Sequence, residues 1–231
     1  IRRQRQMCIR DSYRSEVENL AIIWCYYSGK IEGNSYTYVE TETLLKDQIT
    51  SLKKYEDAEI LITLHNTFTT ELEYIKERNS KEIDKSTLFR VYQSISAGLV
   101  PDEESEHLRN RPVCVSGIEY TPTKELHKIS EKLDEILHQQ EQYTNPLERA
   151  VYLHCNIAQL QPFANKNKHA SRMIESIVLM NADIIPVYSL RETDILNYKK
   201  GVLFFCETGE YSLYADYFLN RQIERIKEIE E

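Results

Sequence analysis

Apolar positions recur three and four residues apart through most of this chain, the spacing of one buried helix face. From Ser15 to about Lys30 that face is Val17, Leu20, Ala21, Ile23, Trp24 and Tyr27. Gly29 weakens this helix and Gly33 stops it. Thr37, with Glu40 three residues later, reads as a capping box for a short helix over Val39–Ile49. Asp57–Glu77 carries Ile60, Leu61, Leu64, Phe68, Leu72 and Ile75 on one face, and the polar stretch Arg78–Asp84 ends it. Ser86 or Thr87 can open the next helix, which carries Leu88, Val91, Tyr92 and Ile95 and stops near Gly98. Lys124–Gln140 is amphipathic through Leu126, Ile129, Leu133, Ile136 and Leu137. Asn145-Pro146 is a helix start, with Asn as the cap and Pro in the first position. The helix it opens, through Leu160, is apolar around much of its circumference and should be central. Ala170–Met180 is again mostly apolar, and Pro186 closes that region. Tyr211–Glu231 forms one or two last helices.

One stretch breaks the helical pattern. Pro101–Arg111 is a charged linker, and then two short β-prone arms, Val113-Cys114-Val115 and Ile118-Glu119-Tyr120, flank Ser116-Gly117. That is a hairpin signal. A lone hairpin is not a stable sheet, so it reads as a flap over 109–122 laid on a helical body. The expected fold is mainly α, a helical bundle with one short β-hairpin flap. With no internal repeat and no Ser/Gly-rich linker, 13–231 reads as one domain with its central motif at 145–182.

Composition narrows the classes. The chain has 231 residues, with six Gly and six Pro, which suits long helices. A net charge of −8 argues against generic binding to nucleic acid. No apolar run reaches the ~18 residues of a membrane span. The five cysteines show no C-x-x-C pair and no Cys/His metal pattern, which suits reduced thiols and a cytoplasmic protein. The sixteen tyrosines read mostly as amphipathic residues at the edge of the core. Residues 1–12 stand apart. Gln6-Met7-Cys8-Ile9-Arg10-Asp11-Ser12 resembles a translated sequencing-adapter end, so this segment reads as non-native; the alternative is a disordered basic tail.

The candidate chemistry lies between the two most apolar helices. Leu160-Gln161-Pro162-Phe163-Ala164-Asn165-Lys166-Asn167-Lys168-His169-Ala170-Ser171-Arg172 is a loop dense in amides and cations that feeds a helix N-terminus. Free backbone N–H groups and the helix dipole make such a place suited to an anion, and Lys166, Lys168 and Arg172 add charge for phosphate. The frame Gln161–Arg172 resembles the Fic/Doc motif His-x-Phe-x-Asp/Glu-Gly-Asn-Gly/Lys-Arg-x-x-Arg. Arg109–Pro122 resembles that family's target-binding flap. Asn145-Pro146-Leu147-Glu148 resembles the start of its central helix. Ser28-Gly29-Lys30-Ile31-Glu32-Gly33 resembles its inhibitory motif, Ser/Thr-x-x-x-Glu-Gly/Asn. The resemblance covers roughly Arg14 to Pro186.

The resemblance implies a Fic-type bundle and an enzyme that moves AMP from ATP to a protein hydroxyl, with Mg²⁺ on the phosphates. Its Doc branch transfers the γ-phosphate instead. The resemblance also assigns roles. Gln161 takes the place of the base histidine, and an amide cannot accept a proton near neutral pH. Asn165 takes the place of the metal carboxylate, with an oxygen but no charge, which weakens any Mg²⁺ site. Lys166, Asn167, Lys168 and Arg172 correspond to the nucleotide-binding part. Lys166 replaces a glycine, and a positive φ there would strain it. Asn167 can close the loop through its side chain. Ser28, Glu32 and Gly33 correspond to the inhibitory segment, in which Glu32 pairs with Arg172. The plain alternative for Glu32 is a surface residue at a helix end. His154 lies about 10 Å upstream of Gln161 along the helix, too far to replace the base, and His169 occupies an arginine position; both read as packing histidines.

Two functional readings follow. One is a nucleotidyl- or phosphotransferase that uses ATP and is held off by Glu32. The other is a Fic-fold module that binds a nucleotide or a protein with its chemistry impaired. In the first, Val113, Cys114 and Val115 would take a target segment by strand addition; the alternative is a hairpin that only covers the core. The target protein is unknown, self-association is a further candidate, and neither nucleic acid nor a membrane is expected as a partner. A helical DNA-associated regulator is disfavoured by the charge.

Overall fold

The structure is a computed structural model that describes residues 2–77 and 82–230, with side chains described for 16–77 and 82–227. The described chain runs α1 Arg2–Ile31, α2 Tyr38–Asp47, α3 Tyr55–Glu77, α4 Lys85–Ser96, α5 Asp102–Ser105, α6 Leu126–Gln139, a 3-10 turn Gln140–Gln142, α7 Pro146–Leu160, α8 Asn167–Asn181, α9 Glu192–Thr208 and α10 Ser212–Glu230. The fold is mainly α, as the periodicity predicts. The backbone of α1 begins well upstream of Ser15, and the side chains of the adapter-like segment lie outside the described residues. So does part of the polar break expected at 78–84.

Local chemistry sets several boundaries. Thr37 and Glu40 form the expected capping box at α2. Asn145 caps α7 by accepting from the Leu147 N–H, with Pro146 in the first position. The start of α4 differs from expectation. Asp84, rather than Ser86 or Thr87, is the cap, because its carboxylate accepts both the Thr87 N–H and the Ser86 hydroxyl. The end of α1 is a Schellman turn. Asn34 N–H donates to the Gly29 carbonyl at 2.9 Å, Gly33 N–H donates to the Lys30 carbonyl at 3.2 Å, and Gly33 sits at φ +87°. This turn presents Glu32, the residue between helix and Gly33, toward α8.

The hairpin is not present. Among the described residues there is no strand, and only the turn at Ser116-Gly117 survives, with Gly117 at φ +96°. Pro112 and Pro122 each remove a backbone donor where the arms would pair, and no neighbouring sheet exists to extend them. The segment is held by side chains instead. Val115 is buried, while Ile118 and Tyr120 pack against the core. Arg109 anchors its base.

α7 and α8 form an antiparallel pair at the centre, and nearly every residue of α8 is buried. One hydrophobic cluster joins them to α1, α3, α4, α6, α9 and α10. The helix α9 went unrecognised in the sequence. Its buried positions Ile195, Tyr198, Val202 and Phe205 do follow a three-four-three spacing. Exposed Leu196 on the other face and the mid-helix Gly201 blur that signal. Gly201 has a packing reason. A Cβ there would stand 2.7 Å from Tyr214 Cα, so α9 and α10 meet backbone to backbone.

Gly201→Ala should therefore destabilise the protein even though alanine is the better helix former. Overpacking at about 1–3 kcal/mol outweighs a propensity gain of about 1 kcal/mol. A lower urea midpoint at unchanged m checks this; an unchanged or raised midpoint contradicts the close approach.

Candidate functional site

The loop between α7 and α8 is built by four local devices. Gln161 ends α7 in the left-handed region at φ 50°, its N–H donating to the Ile157 carbonyl. Phe163 is fully buried and stacks on Tyr92, with centroids 3.7 Å apart and rings nearly parallel, while Phe89 meets its edge. Asn167 closes the loop from both sides: its Oδ1 accepts from Phe163 N–H and its Nδ2 donates to the Phe163 carbonyl, each at 2.8 Å. Lys166 then starts α8 from φ 54°. Its side chain carries no acceptor, so the first N–H groups of α8 lack the oxygen that a Ser, Thr, Asn or Asp cap supplies. That leaves the end of α8 chemically suited to an anion.

Arg109 ties the upstream segment to this loop. Its Nε donates to the Gln161 carbonyl at 2.5 Å, its other nitrogens to the carbonyls of Arg111, Thr123 and Leu160, and its own N–H to the Pro162 carbonyl. This role was not read from the sequence, since nothing about a lone arginine before a linker announces it. Of the three flap residues, Val115 is buried, Val113 is half-buried and Cys114 is exposed, and none lies on a strand. Strand addition therefore has no existing edge to extend here.

Arg172 lies one turn into α8 and is 1% exposed. Its Nε donates to Ser28 Oγ at 3.2 Å and one terminal nitrogen to the Ser28 carbonyl at 3.3 Å. The other terminal nitrogen donates to Glu32 Oε1 at 3.2 Å and to the Tyr198 hydroxyl at 3.0 Å. Lys168 Nζ is 4.0 Å from the second Glu32 oxygen. Burial opposes ionisation of Glu32, but the Arg172 and Lys168 cations outweigh it and hold the carboxyl down at about 2. Burial also works against the charge of Arg172, and Tyr198 and Glu32 more than offset it. The structure thus brings Ser28, Glu32, Lys168 and Arg172 together, with Gly33 setting the turn. Burial pushes the Lys166 amine down, and the carboxylate of Glu32 acts in the other direction.

The base position is empty of a base. Gln161 is buried, and its side-chain amide donates back to the Ala158 carbonyl at 2.5 Å. Neither histidine is placed to replace it: His154 is engaged at both ring nitrogens, and His169 is sealed from solvent and too weak a base. His154 is fully buried, with Nε2 3.0 Å from the Tyr198 hydroxyl and Nδ1 3.0 Å from Glu175. His169 is buried beside Arg172; burial first, and then that cation, push it down to about 3, so it is neutral near pH 7. Its Nε2 has no hydrogen-bond partner among the described residues.

A sequence profile of the Fic/DOC family matches residues 55–179. The chain belongs to the Fic/DOC family. Solved Fic structures share its fold. Fic-1 of C. elegans (residues 134–508) is 17% identical over 90% of this chain and 61% of that one, with a TM-score of 0.73. A Fic family protein from Desulfovibrio desulfuricans G20 is 14% identical over 93% of this chain and 67% of that one, with a TM-score of 0.72. A Fic-domain signalling protein from Bacteroides thetaiotaomicron is 17% identical over 95% of this chain and 85% of that one, with a TM-score of 0.73. The chain spans about three fifths of the C. elegans structure. No curated protein matches it in sequence.

Within this Fic fold the donor set does not suit the Mg²⁺ that the family resemblance implies. Asn165 offers a neutral oxygen that already accepts from the Tyr92 hydroxyl at 3.4 Å. Among the described residues no group of three or more His, Cys, Asp or Glu could hold a metal ion. Mg²⁺ prefers carboxylates with phosphate, and the carboxylate brought to this loop, Glu32, is already paired with Arg172.

The depressed Glu32 carboxyl links stability to acid. Its folded value of about 2 lies below the ordinary 4.5, so its contribution is full above about pH 4.5 and is lost as pH falls toward about 2. Glu32→Gln should flatten that part of the acid limb in urea melts taken from pH 5 to pH 2. A limb as steep as wild type would mean the pair carries no linkage.

Proposed function

We propose that this Fic/DOC chain binds a nucleoside triphosphate at the α7–α8 loop, that Glu32 restrains this binding by occupying Arg172, and that group transfer is impaired. The observation that carries the reading is the side chain of Gln161, an amide turned back onto the Ala158 carbonyl where the family motif has its histidine. A general base contributes on the order of 10²–10⁴-fold, and the two nearby histidines do not supply it: His154 is engaged at both ring nitrogens and His169 is buried and held down at about 3. The phosphate-holding parts support the binding half: the amide-rich start of α8, Lys166 and Lys168 at the loop, and Arg172 already aimed by Ser28. In place of a metal, the lysines would balance phosphate charge.

Glu32 is an internal competitor in this reading. It is ionised and bonded to the same guanidinium that a terminal phosphate would take. Its side chain is about one third exposed, at 31%, so the pair faces solvent on one side and can open without unfolding the helices around it. Active AMP transfer, or phosphate transfer in the manner of the Doc branch, is the second reading; the Asn167-Lys168 pair matches the Doc form of the motif.

Glu32→Gly should tighten ATP at least about tenfold, the worth of one displaced charge-assisted contact. ATP binding should be similar with Mg²⁺ and with EDTA. ATP labelled at the α- or γ-phosphate should leave no label on protein in a cell lysate with either form, while Gln161→His with Asn165→Asp in the Glu32→Gly background should raise labelling about a hundredfold or more. Calorimetry and gel autoradiography check these outcomes. Brisk labelling by the Glu32→Gly protein alone overturns the impaired reading, and the label position separates AMP transfer from phosphate transfer.

A further inference from the structure

Arg172 is met not only by Glu32 but by a chain of buried groups that begins on the same terminal nitrogen. Its terminal nitrogen donates to the Tyr198 hydroxyl at 3.0 Å. That hydroxyl lies 3.0 Å from His154 Nε2. His154 Nδ1 lies 3.0 Å from a Glu175 carboxylate oxygen, within ion-pair distance though bent away from a linear hydrogen bond. The same oxygen accepts from the Tyr214 hydroxyl at 2.5 Å. Arg172, Tyr198 and His154 are each at most 1% exposed, and Glu175 is 8% exposed.

Donor counting gives this chain one direction. Arginine has no acceptor, so Tyr198 oxygen must accept from it. The Tyr198 proton then needs a buried acceptor, and His154 Nε2 is the one within reach. An Nε2–H imidazole would leave the Tyr198 proton without a partner, a costly state for a buried group. His154 Nε2 is therefore the acceptor, and the ring proton sits on Nδ1, facing Glu175. Burial pushes the Tyr198 phenol above its ordinary value, so it stays a neutral hydroxyl that can both accept and donate.

The guanidinium has five N–H bonds. Two go to Ser28, one to Tyr198 and one to Glu32. When Glu32 leaves, the Ser28 and Tyr198 bonds remain, and the N–H groups freed can meet phosphate. Tyr198, itself held by His154, is then the buried group left against the cation. A buried cation stripped of its partner would otherwise be strongly unfavourable.

We propose that Tyr198, backed by His154 and Glu175, is a positioning residue that keeps Arg172 aimed into the loop once Glu32 withdraws. This rests on the reading of the loop as a triphosphate site. The group affected is the one assigned to the terminal phosphate, so Tyr198 should matter to ATP and not to AMP. A merely structural tyrosine would weaken both alike.

The test uses the full chain carrying Glu32→Gly, with ATP and AMP as probes. Adding Tyr198→Phe should weaken ATP about tenfold or more and leave AMP within about twofold. His154→Leu should weaken ATP in the same selective way. His154→Gln, which keeps an acceptor three bonds from Cβ as Nε2 is, should restore most of the loss. Without nucleotide, exchange of the Arg172 Nε–H with water, followed by NMR, should speed up about tenfold with Tyr198→Phe. Equal loss for both nucleotides, no loss for either, or His154→Gln as damaging as His154→Leu overturns the proposal. If the Glu32→Gly protein binds no ATP, the triphosphate reading falls, and the exchange rate alone then decides the role of Tyr198: faster exchange supports it and unchanged exchange overturns it. If Tyr198→Phe fails to fold, the comparison of His154→Leu with His154→Gln decides between the same two outcomes.

Discussion

A guanidinium that is 1% exposed must be satisfied from every side, and Arg172 organises its surroundings accordingly. It draws partners from α1, from α9 and from the turn that follows α1. Removing one partner from such a site leaves charge or donors uncompensated, so these elements are coupled through a single side chain. The Schellman turn at Gly33 belongs to the same constraint. It stops α1 where Glu32 reaches Arg172, and the αL geometry at φ +87° is one that glycine adopts without strain. The turn after α1 and the α7–α8 loop are thus one electrostatic unit rather than two segments that happen to lie in the same chain.

That unit has diverged unevenly within the Fic/DOC family pattern. The cationic and loop-closing positions are present: Arg172 bonded to Ser28, Tyr198 and Glu32, Asn167 bonded to the Phe163 backbone, and the two lysines. Groups that would break and make bonds are replaced by amides, Gln161 at the base position and Asn165 at the metal position. An amide can still donate and accept hydrogen bonds, but it has neither the proton chemistry of an imidazole nor the charge of a carboxylate. Gln161 uses that hydrogen bonding inwardly, on Ala158, and Asn165 on Tyr92. Both amides are thus engaged in holding the geometry of the loop.

Much of this was legible in the sequence, and the parts that were not have physical reasons. The start of α7 was readable because Asn145-Pro146 is a local signal, complete within two residues. The α2 capping box was readable for the same reason. The pairing of Glu32 with Arg172 was readable only through the family resemblance, since 140 residues separate them. Tyr198 carried no local signal at all: its meaning comes from Arg172 and His154, and its helix was blurred by Leu196 and Gly201. The hairpin misled because β-prone arms and a Ser-Gly turn are a sound local pattern, yet a pair of strands needs a sheet or a face to pack on. Two prolines remove donors from the arms, and Val115, Ile118 and Tyr120 pack the segment against the helices instead.

Lys166 shows how strongly the loop is determined. A lysine at φ 54° has a backbone that costs about 1–2 kcal/mol relative to the ordinary helical region. Such a residue persists only where the surroundings leave the chain no alternative. Here the alternatives are removed on both sides. Upstream, Phe163 is clamped between Tyr92 and Phe89, and its backbone N–H and carbonyl are both taken by Asn167. Downstream, the Lys166 carbonyl is itself fixed, since it accepts the Ala170 N–H at 3.0 Å. The loop holds its shape against its own sequence at that position, and as a result a lysine stands where a glycine would bring no charge. A strained cation is what a phosphate site would retain if it had to balance charge without a carboxylate-bound metal.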